Sequence, residues 1–225
     1  MKKYRLIFFL CSSILMNGCG HNTKPSAGNP KNSLPDTSKD LVVGRPCDRC
    51  EDMFYGGKPP DDSIGSSTAI ATSHEPGERM EIQAVVVLKD GITPAGNFVL
   101  YIYHTNNEGL YAPSDTQTIV RFNGHLRNWV KTDAQGKFSF SSIRPAPYPT
   151  RNIPAHIHII LKEPGKIPYY IDEVWFDDDP LVTKTLRQKA EKRGGDLIIH
   201  LGKNSRGIWT GNLKITAGLH IPGYP

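Results

Sequence analysis

The feature that most constrains the fold of this chain is a series of short β-type runs separated by turn residues. The runs are rich in Val, Ile, Thr, Tyr and Phe, and Gly, Asn, Asp or Pro stands between them. The predicted strands are 81–88, 97–103, 129–132, 137–140, 155–162, 169–176, 196–201 and 213–217. One segment, 181–192, favours a helix. Many short strands with almost no helix predict an all-β fold, a β-sandwich.

The predicted strand 155–162 carries two histidines at its start, His156 and His158. Side chains alternate between the two faces of a strand, so both imidazoles are expected on the same face. Burying two such groups is costly unless their nitrogens find partners, and a metal ion provides one because neutral imidazole is a common ligand. Two half-buried histidines bonded to backbone carbonyls fit the same spacing.

Tyr148 precedes this pair in a loop between Pro147 and Pro149. Each proline fixes its own φ and restricts the residue before it, so the loop is stiff and aims the phenol in one direction. Phenols have a pKa of about 10, so binding them as anions requires a strong Lewis acid. Phenolate and imidazole together suit Fe(III), although the spacing alone leaves zinc open.

Three ordered blocks resemble the intradiol ring-cleavage dioxygenases of the protocatechuate and catechol type. The first block, within 145–158, reads P-A-P-Y-P-x-R-N and then P-A-H-I-H. The second is L-Y-I-Y-H-T-N-N-E-G-L-Y at 100–111, and the third is V-W-F-D-D-D-P-L at 174–181. The resemblance implies that residues 80–225 form a β-sandwich of the intradiol dioxygenase type.

The resemblance also implies a non-haem Fe(III) centre with two tyrosine and two histidine ligands. Matched by motif, these are Tyr111, Tyr148, His156 and His158. In the family, a catechol-type diol binds the iron in place of the second tyrosine, here Tyr148. The ring then opens with O2 between its two hydroxyl-bearing carbons. The implied partners are therefore a small aromatic diol and O2, without an organic cofactor.

The chain departs from the family pattern beside the histidines. Relatives commonly have R-P-A-H-I-H, where this sequence has Ile153 in place of the arginine. Arg151 is the candidate catalytic residue that would reach the same space. Glu173 and Trp175 are the implied substrate-binding residues, and Glu173, at a position where glutamine is usual, disfavours an anionic substrate.

Residues 1–18 resemble a bacterial lipoprotein signal peptide. Basic residues precede an apolar run that is shorter than the roughly 20 residues needed to span a membrane. Cys19 would then be lipidated and become the mature N-terminus, followed by a flexible tether over 19–45 that is rich in Asn, Ser, Pro, Lys and Gly. We expect a lipid-anchored protein of the bacterial cell envelope, with simple secretion as the alternative.

Residues 46–79 are polar and predicted to form an irregular wrap that contains Cys47 and Cys50. An exported chain favours a disulfide between these two cysteines. A redox motif is the alternative, whereas a zinc site would need two further ligands at suitable spacing.

The formal net charge of +5 is mild and no basic run is interleaved with aromatic residues, so nucleic acid is not an expected partner. The sequence does not indicate an oligomeric state. Two other functions stay open. The segments D-G-I-T-P-A-G and T-D-A-Q-G-K-F-S-F also resemble transthyretin-like sandwiches, which would make the chain a non-catalytic envelope binding module. Ile153 also allows a relative that binds iron but has lost turnover.

Overall fold

The computed structural model describes residues 39–47, 49–113 and 123–225, and these belong to one compact unit. The strands are β1 (Ser67–Ala69), β2 (Arg79–Val87), β3 (Val99–His104), β4 (Arg127–Lys131), β5 (Lys137–Ile143), β6 (His156–Lys162), β7 (Tyr169–Tyr170), β8 (Val174–Phe176), β9 (Ile198–Ile199), β10 (Gly202–Lys203) and β11 (Trp209–Thr216). A 3-10 helix spans Cys50–Phe54, and an α-helix, α1, spans Lys184–Lys189.

The strands form two sheets that enclose one apolar core. The first sheet has the order β1-β5-β2-β11-β10, and the second has the order β4-β3-β6-β8-β9, with β7 paired to β6. Ile82 and Ile215 from the first sheet and Ile102, Ile157 and Ile159 from the second are buried in this core. The predicted all-β sandwich is therefore confirmed.

Several predicted boundaries are wrong. The segment 169–176 is two strands, because the Asp172 N–H between them donates to the Arg193 carbonyl and leaves the ladder with β6. The wrap 46–79 is not wholly irregular, since β1 pairs in parallel with β5. The helix is shorter than 181–192, and it begins after Thr183, whose hydroxyl oxygen accepts the Leu186 N–H.

The second sheet has two chemically different faces. Leu100 and Ile102 of β3 point into the sandwich core, whereas Tyr101 and Tyr103 belong to a separate apolar cluster on the outer face. In β6 the same alternation buries Ile157 and leaves both histidines on that outer face, with His158 opposite Tyr103 in the register.

The N-terminal segment covers part of this outer face. Cys47, Cys50 and Met53 pack against Tyr101 and Tyr103. The Trp129 indole N–H donates to the Met53 carbonyl at 2.7 Å, which fixes the segment to β4. The predicted signal peptide, Cys19 and the tether as far as residue 38 lie outside the described residues. Within the described ranges, no helix has the length and apolar character needed to cross a membrane.

Candidate active site

The structure brings the four predicted metal ligands together. The Nε2 atoms of His156 and His158 are 3.1 Å apart, and the hydroxyl oxygens of Tyr111 and Tyr148 are 2.8 Å apart. The Tyr148 and His156 rings meet edge to face with centroids 5.2 Å apart, so the tyrosine pair adjoins the histidine pair. Residues from two loops and one strand therefore converge on one small volume.

The two tyrosine loops are tied to each other. Asn106 organises the first loop, because its Oδ1 accepts the Glu108 and Leu110 N–H groups while its carbonyl accepts the Ala146 N–H of the second loop. Gly109 has φ +77°, and a Cβ at this position would collide with the Pro147 carbonyl oxygen. Glycine therefore lets the two loops approach closely enough for the hydroxyl groups to meet.

Hydrogen bonds fix the orientation of the two histidine rings. The His156 Nδ1–H donates to the Pro154 carbonyl at 2.6 Å, which leaves the Nε2 lone pair directed at His158. Burial, followed by the neighbouring His156, lowers the pKa of His158 to about 3, so His158 is neutral at pH 7. At 3.1 Å the neutral His158 can donate an Nε2 proton to His156, and a cation that binds both nitrogens would replace this hydrogen bond.

The tyrosine oxygens complete a donor set that fits Fe(III). Burial, followed by the hydrogen bond to Tyr148, raises the pKa of Tyr111 above its usual range, so its phenol stays protonated without a cation. A strong Lewis acid would convert the paired phenols to tyrosinates. Across the described ranges, His, Cys, Asp and Glu side chains alone form no metal-binding group of three or more.

Two further tyrosines support the site and were missed by sequence reasoning. The Tyr103 ring stacks on His158 with centroids 4.6 Å apart, and its hydroxyl oxygen lies 2.5 Å from that of Tyr170. Burial raises the pKa values of both phenols. Alternation along β3 could have placed Tyr103 on the outer face, but only the register of β3 with β6 places it beside His158.

A cavity of about 730 Å³ opens over these side chains, and Tyr111, Tyr148 and His158 line it. The predicted substrate-binding residues Glu173 and Trp175 and the predicted catalytic residue Arg151 also lie in its wall.

The structure shows where the residue that departs from the family pattern, Ile153, lies. Ile153 is 36% exposed and does not contribute to the cavity wall. The Arg151 guanidinium carbon lies 5.9 Å from the centre of the Tyr148 ring. Arg151 is therefore placed to act beside the tyrosine pair.

The two described cysteines belong to the apolar cluster that includes Tyr103 beside the site. Cys47 and Cys50 are joined as a disulfide, and Arg49, which directly precedes the 3-10 helix, lines the cavity wall. Sequence reasoning gave the C-x-x-C segment no part in the site, since nothing in the chain links residue 49 to strands that begin fifty residues later.

Comparison with known proteins gives consistent matches. A family model described as dioxygenase matches residues 60–206. Catechol 1,2-dioxygenase 2 of Acinetobacter lwoffii is 31% identical over 107 residues, an alignment that covers 40% of this chain and 38% of that protein. The chain thus matches well under half the length of this curated relative.

Solved structures share the fold. The dioxygenase domain of a dioxygenase carbohydrate-binding protein fusion from Streptomyces sp. SirexAA-E has a TM-score of 0.52 at 19% identity, covering 73% of this chain and 96% of that chain. For 3-chlorocatechol 1,2-dioxygenase from Rhodococcus opacus 1CP the TM-score is 0.53 at 21% identity, with 72% and 68% covered. At these identities the similarity shows the fold alone.

Proposed function

Because the chain belongs to the intradiol ring-cleavage dioxygenase family, we propose that it is an Fe(III)-dependent oxidoreductase acting on a catechol-type aromatic diol. In the overall reaction the carbon–carbon bond between the two hydroxyl-bearing carbons breaks. Both atoms of O2 enter the product, so the ring becomes a muconate-type diacid.

The observation that carries this proposal is that a pair of phenol oxygens and a pair of imidazole nitrogens adjoin each other beside a cavity. Tyr111, Tyr148, His156 and His158 would hold the iron. A β-sandwich needs none of these groups for packing, and isolated buried histidines are costly. Bound there, Fe(III) supplies a Lewis acid that withdraws electron density from the diol and makes the ring reactive toward O2.

The protein's own groups prepare the site before a ligand arrives. The Pro154 carbonyl holds the proton of His156 on Nδ1, and Tyr103 fixes the plane of the His158 ring by stacking. These contacts keep both Nε2 atoms directed at the same point, so little reorganisation accompanies metal binding.

The cavity wall supplies the remaining functions. Its volume of about 730 Å³ is within the range of small-molecule sites. Trp175 offers an aromatic surface for a planar ring, and Arg151 places a positive charge beside Tyr148. This charge would stabilise negative charge that develops on the ring during the reaction.

The test begins with the purified chain loaded with iron. We expect a visible tyrosinate-to-Fe(III) absorption band that shifts when catechols are added without O2. Admitting O2 should then consume one O2 for each diol and yield a muconate-type diacid. A colourless protein that retains no iron after loading would refute the proposal.

One observation favours a second candidate, an iron-binding relative without turnover. Ile153 stands where relatives commonly have arginine, and it is absent from the cavity wall. Such a protein would show the band and its shift with catechols but no O2 uptake. The family match favours both enzyme-related candidates over a transthyretin-like binding module, which would be colourless.

We propose separately that Cys19 carries a lipid that anchors the protein in the bacterial cell envelope. The support is the signal-like sequence of residues 1–18. Mass spectrometry of the mature N-terminus would test it, and an unmodified Cys19, or a mature chain that begins elsewhere, would refute it.

A further inference from the structure

We propose that Glu75 and His125 are positioning residues that hold Tyr111 in place when a diol binds in place of Tyr148. This inference rests on the proposed function, because Tyr111 acts there as a metal ligand. It goes further by giving a structural reason why one tyrosine stays while the other leaves.

His125 binds the residue that follows Tyr111 twice. The Ala112 carbonyl accepts the backbone N–H of His125 at 2.9 Å and its ring Nδ1–H at 2.8 Å. A carbonyl oxygen has two lone pairs, so it can accept both hydrogen bonds. The main chain directly after Tyr111 is therefore fixed to the turn that precedes β4.

The Glu75 carboxylate holds the ring of His125 from the opposite side. Its Oε2 lies 2.9 Å from Nε2 of His125, and the side chains of His125 and Glu75 are only 21% and 14% exposed. The Ala112 carbonyl can only accept, so Nδ1 carries a hydrogen, and the hydrogen bond between Nε2 and the carboxylate needs a second proton. The ring is held between two acceptors and cannot turn without breaking both contacts.

Glu75 is anchored in turn to the first sheet. The guanidinium of Arg79, the first residue of β2, donates at 2.8, 2.7 and 2.7 Å to three carbonyls of the preceding loop, those of Thr72, Ser73 and Glu75. The Glu75 N–H donates to the Thr72 carbonyl at 3.2 Å. A continuous set of contacts therefore runs from β2 to His125.

Gly124 brings the turn of His125 against the main chain of Tyr111. Gly124 has φ +64°, and a Cβ at this position would lie 3.0 Å from the Tyr111 Cα and 2.9 Å from the Tyr111 carbonyl carbon. Glycine permits this backbone conformation and this close approach. The turn that carries His125 therefore packs directly on the tyrosine that the pair positions.

The Tyr148 loop has weaker main-chain contacts. The Tyr148 carbonyl accepts the Arg151 N–H at 3.4 Å, which is longer than a usual hydrogen bond of this type. Pro147 and Pro149 on either side are exposed and have no N–H to donate. Movement of Tyr148 away from the centre is therefore opposed by weaker main-chain contacts than movement of Tyr111.

The experiment measures how fast iron leaves the protein without O2, before and after catechol is added. The decay of the iron absorption band in excess EDTA gives the rate. His125→Ala removes the ring, Glu75→Ala removes the carboxylate that orients it, and Glu75→Gln keeps a hydrogen-bonding group for Nε2. Asp40→Ala is the matched control, because the Asp40–Lys162 ion pair is similarly buried, with side chains 18% and 20% exposed, and lies at the end of β6 away from the histidines.

We expect His125→Ala to lose iron about tenfold faster than the wild type once catechol is bound, the low end of the range for groups that support a ligand. The change should be smaller in resting protein, where Tyr148 also binds. Glu75→Ala should show a smaller increase of the same kind, Glu75→Gln should restore nearly the wild-type rate, and Asp40→Ala should match the wild type.

Urea unfolding of the metal-free variants checks that each one folds. If His125→Ala does not fold, the comparison of Glu75→Ala with Glu75→Gln decides the question, because both keep the imidazole and differ only in the group that faces Nε2. A faster loss of iron in Glu75→Ala that Glu75→Gln reverses supports the inference.

Other outcomes overturn the inference. Wild-type rates in His125→Ala and Glu75→Ala would show that the pair does not position Tyr111, and they would leave the proposed function standing. Equal acceleration in Asp40→Ala would show a general effect of lost stability. Equal acceleration with and without catechol would show no special role when the diol binds. Wild-type protein that binds neither iron nor catechol refutes both the inference and the proposed function.

Discussion

The Nε2 atoms of His156 and His158 face each other at 3.1 Å on the outer face of one strand. Without a metal this separation is that of a hydrogen bond, in which a neutral His158 donates its Nε2 proton to the Nε2 of His156. His156 has its Nδ1 proton bound to the Pro154 carbonyl, so its Nε2 is available as an electron-pair donor. In the proposed function both residues would bind one metal ion, and their shared strand face would allow this without movement of the backbone.

Replacing either histidine by alanine should abolish iron binding. The loss should exceed the roughly 10- to 100-fold weakening that follows removal of a group that only supports a ligand. Metal analysis after dialysis against a weak chelator would measure it. His200→Ala is the control, because the His200 side chain is 80% exposed and contacts Asp177. Retained stoichiometric iron in His158→Ala would exclude His158 as a ligand.

Tyr148→Phe should keep part of the iron, alter the visible band and impair turnover more than metal content. If the diol takes the place of this tyrosine, as the proposed function implies, the residue would matter during the reaction more than for holding the metal. Iron content, the absorption spectrum and O2 uptake would be compared with those of Tyr111→Phe. Equal losses of iron and turnover in Tyr148→Phe would contradict the separate role.

Gly109→Ala should separate the two tyrosine loops. A methyl group there would collide with the Pro147 carbonyl, and φ +77° adds strain of about 1 kcal/mol for a residue with a side chain. We expect a shifted absorption band and weaker iron binding. Gly165→Ala is the control for strain alone, since Gly165 has φ +70° but no atom close to an added Cβ. Identical spectra for the two variants would show that the loop contact is unimportant.

Arg151→Ala should lower kcat about 10- to 100-fold while iron stays bound, if its charge acts on the ring during the reaction. The guanidinium lies over Tyr148 in the cavity wall and is not a ligand candidate. Steady-state O2 uptake with parallel iron analysis measures the effect. A variant with full kcat would mean that other groups stabilise the ring or that no such stabilisation is required.

Acid should destabilise the fold through His104. This residue is buried, its Nδ1–H donates to the Thr105 carbonyl, and its Nε2 accepts the Ser142 hydroxyl. Burial lowers its pKa to about 4. Between pH 6.5 and 4 the unfolded chain binds a proton that the native state does not, so stability falls as the pH falls through this window.

The expected loss from His104 is about 2 kcal/mol of unfolding free energy between pH 7 and pH 5. Urea unfolding at both pH values measures it. His104→Gln cannot titrate there, and its stability should depend less steeply on pH. An unchanged slope in that variant would assign the acid sensitivity to other groups.

Local patterns in the sequence determined the all-β fold and the shared face of the two histidines. The turn-separated runs predicted the two sheets, and the period of two placed His156 and His158 on one face. These features depend on alternation along a single strand and on turn chemistry, which neighbouring residues decide. The boundary between β7 and β8 was not predicted, because a long-range hydrogen bond from Asp172 to Arg193 ends the pairing with β6. The start of α1 was also placed too early.

Only the tertiary structure decided which distant residues share the site. Tyr103 meets His158 through the register of β3 with β6, and Arg49 enters the cavity because its segment packs on the outer face of the second sheet. Such contacts depend on how separate elements pack in space. The sequence around Arg49 carries no periodic signal of its destination, so no local pattern could have indicated it.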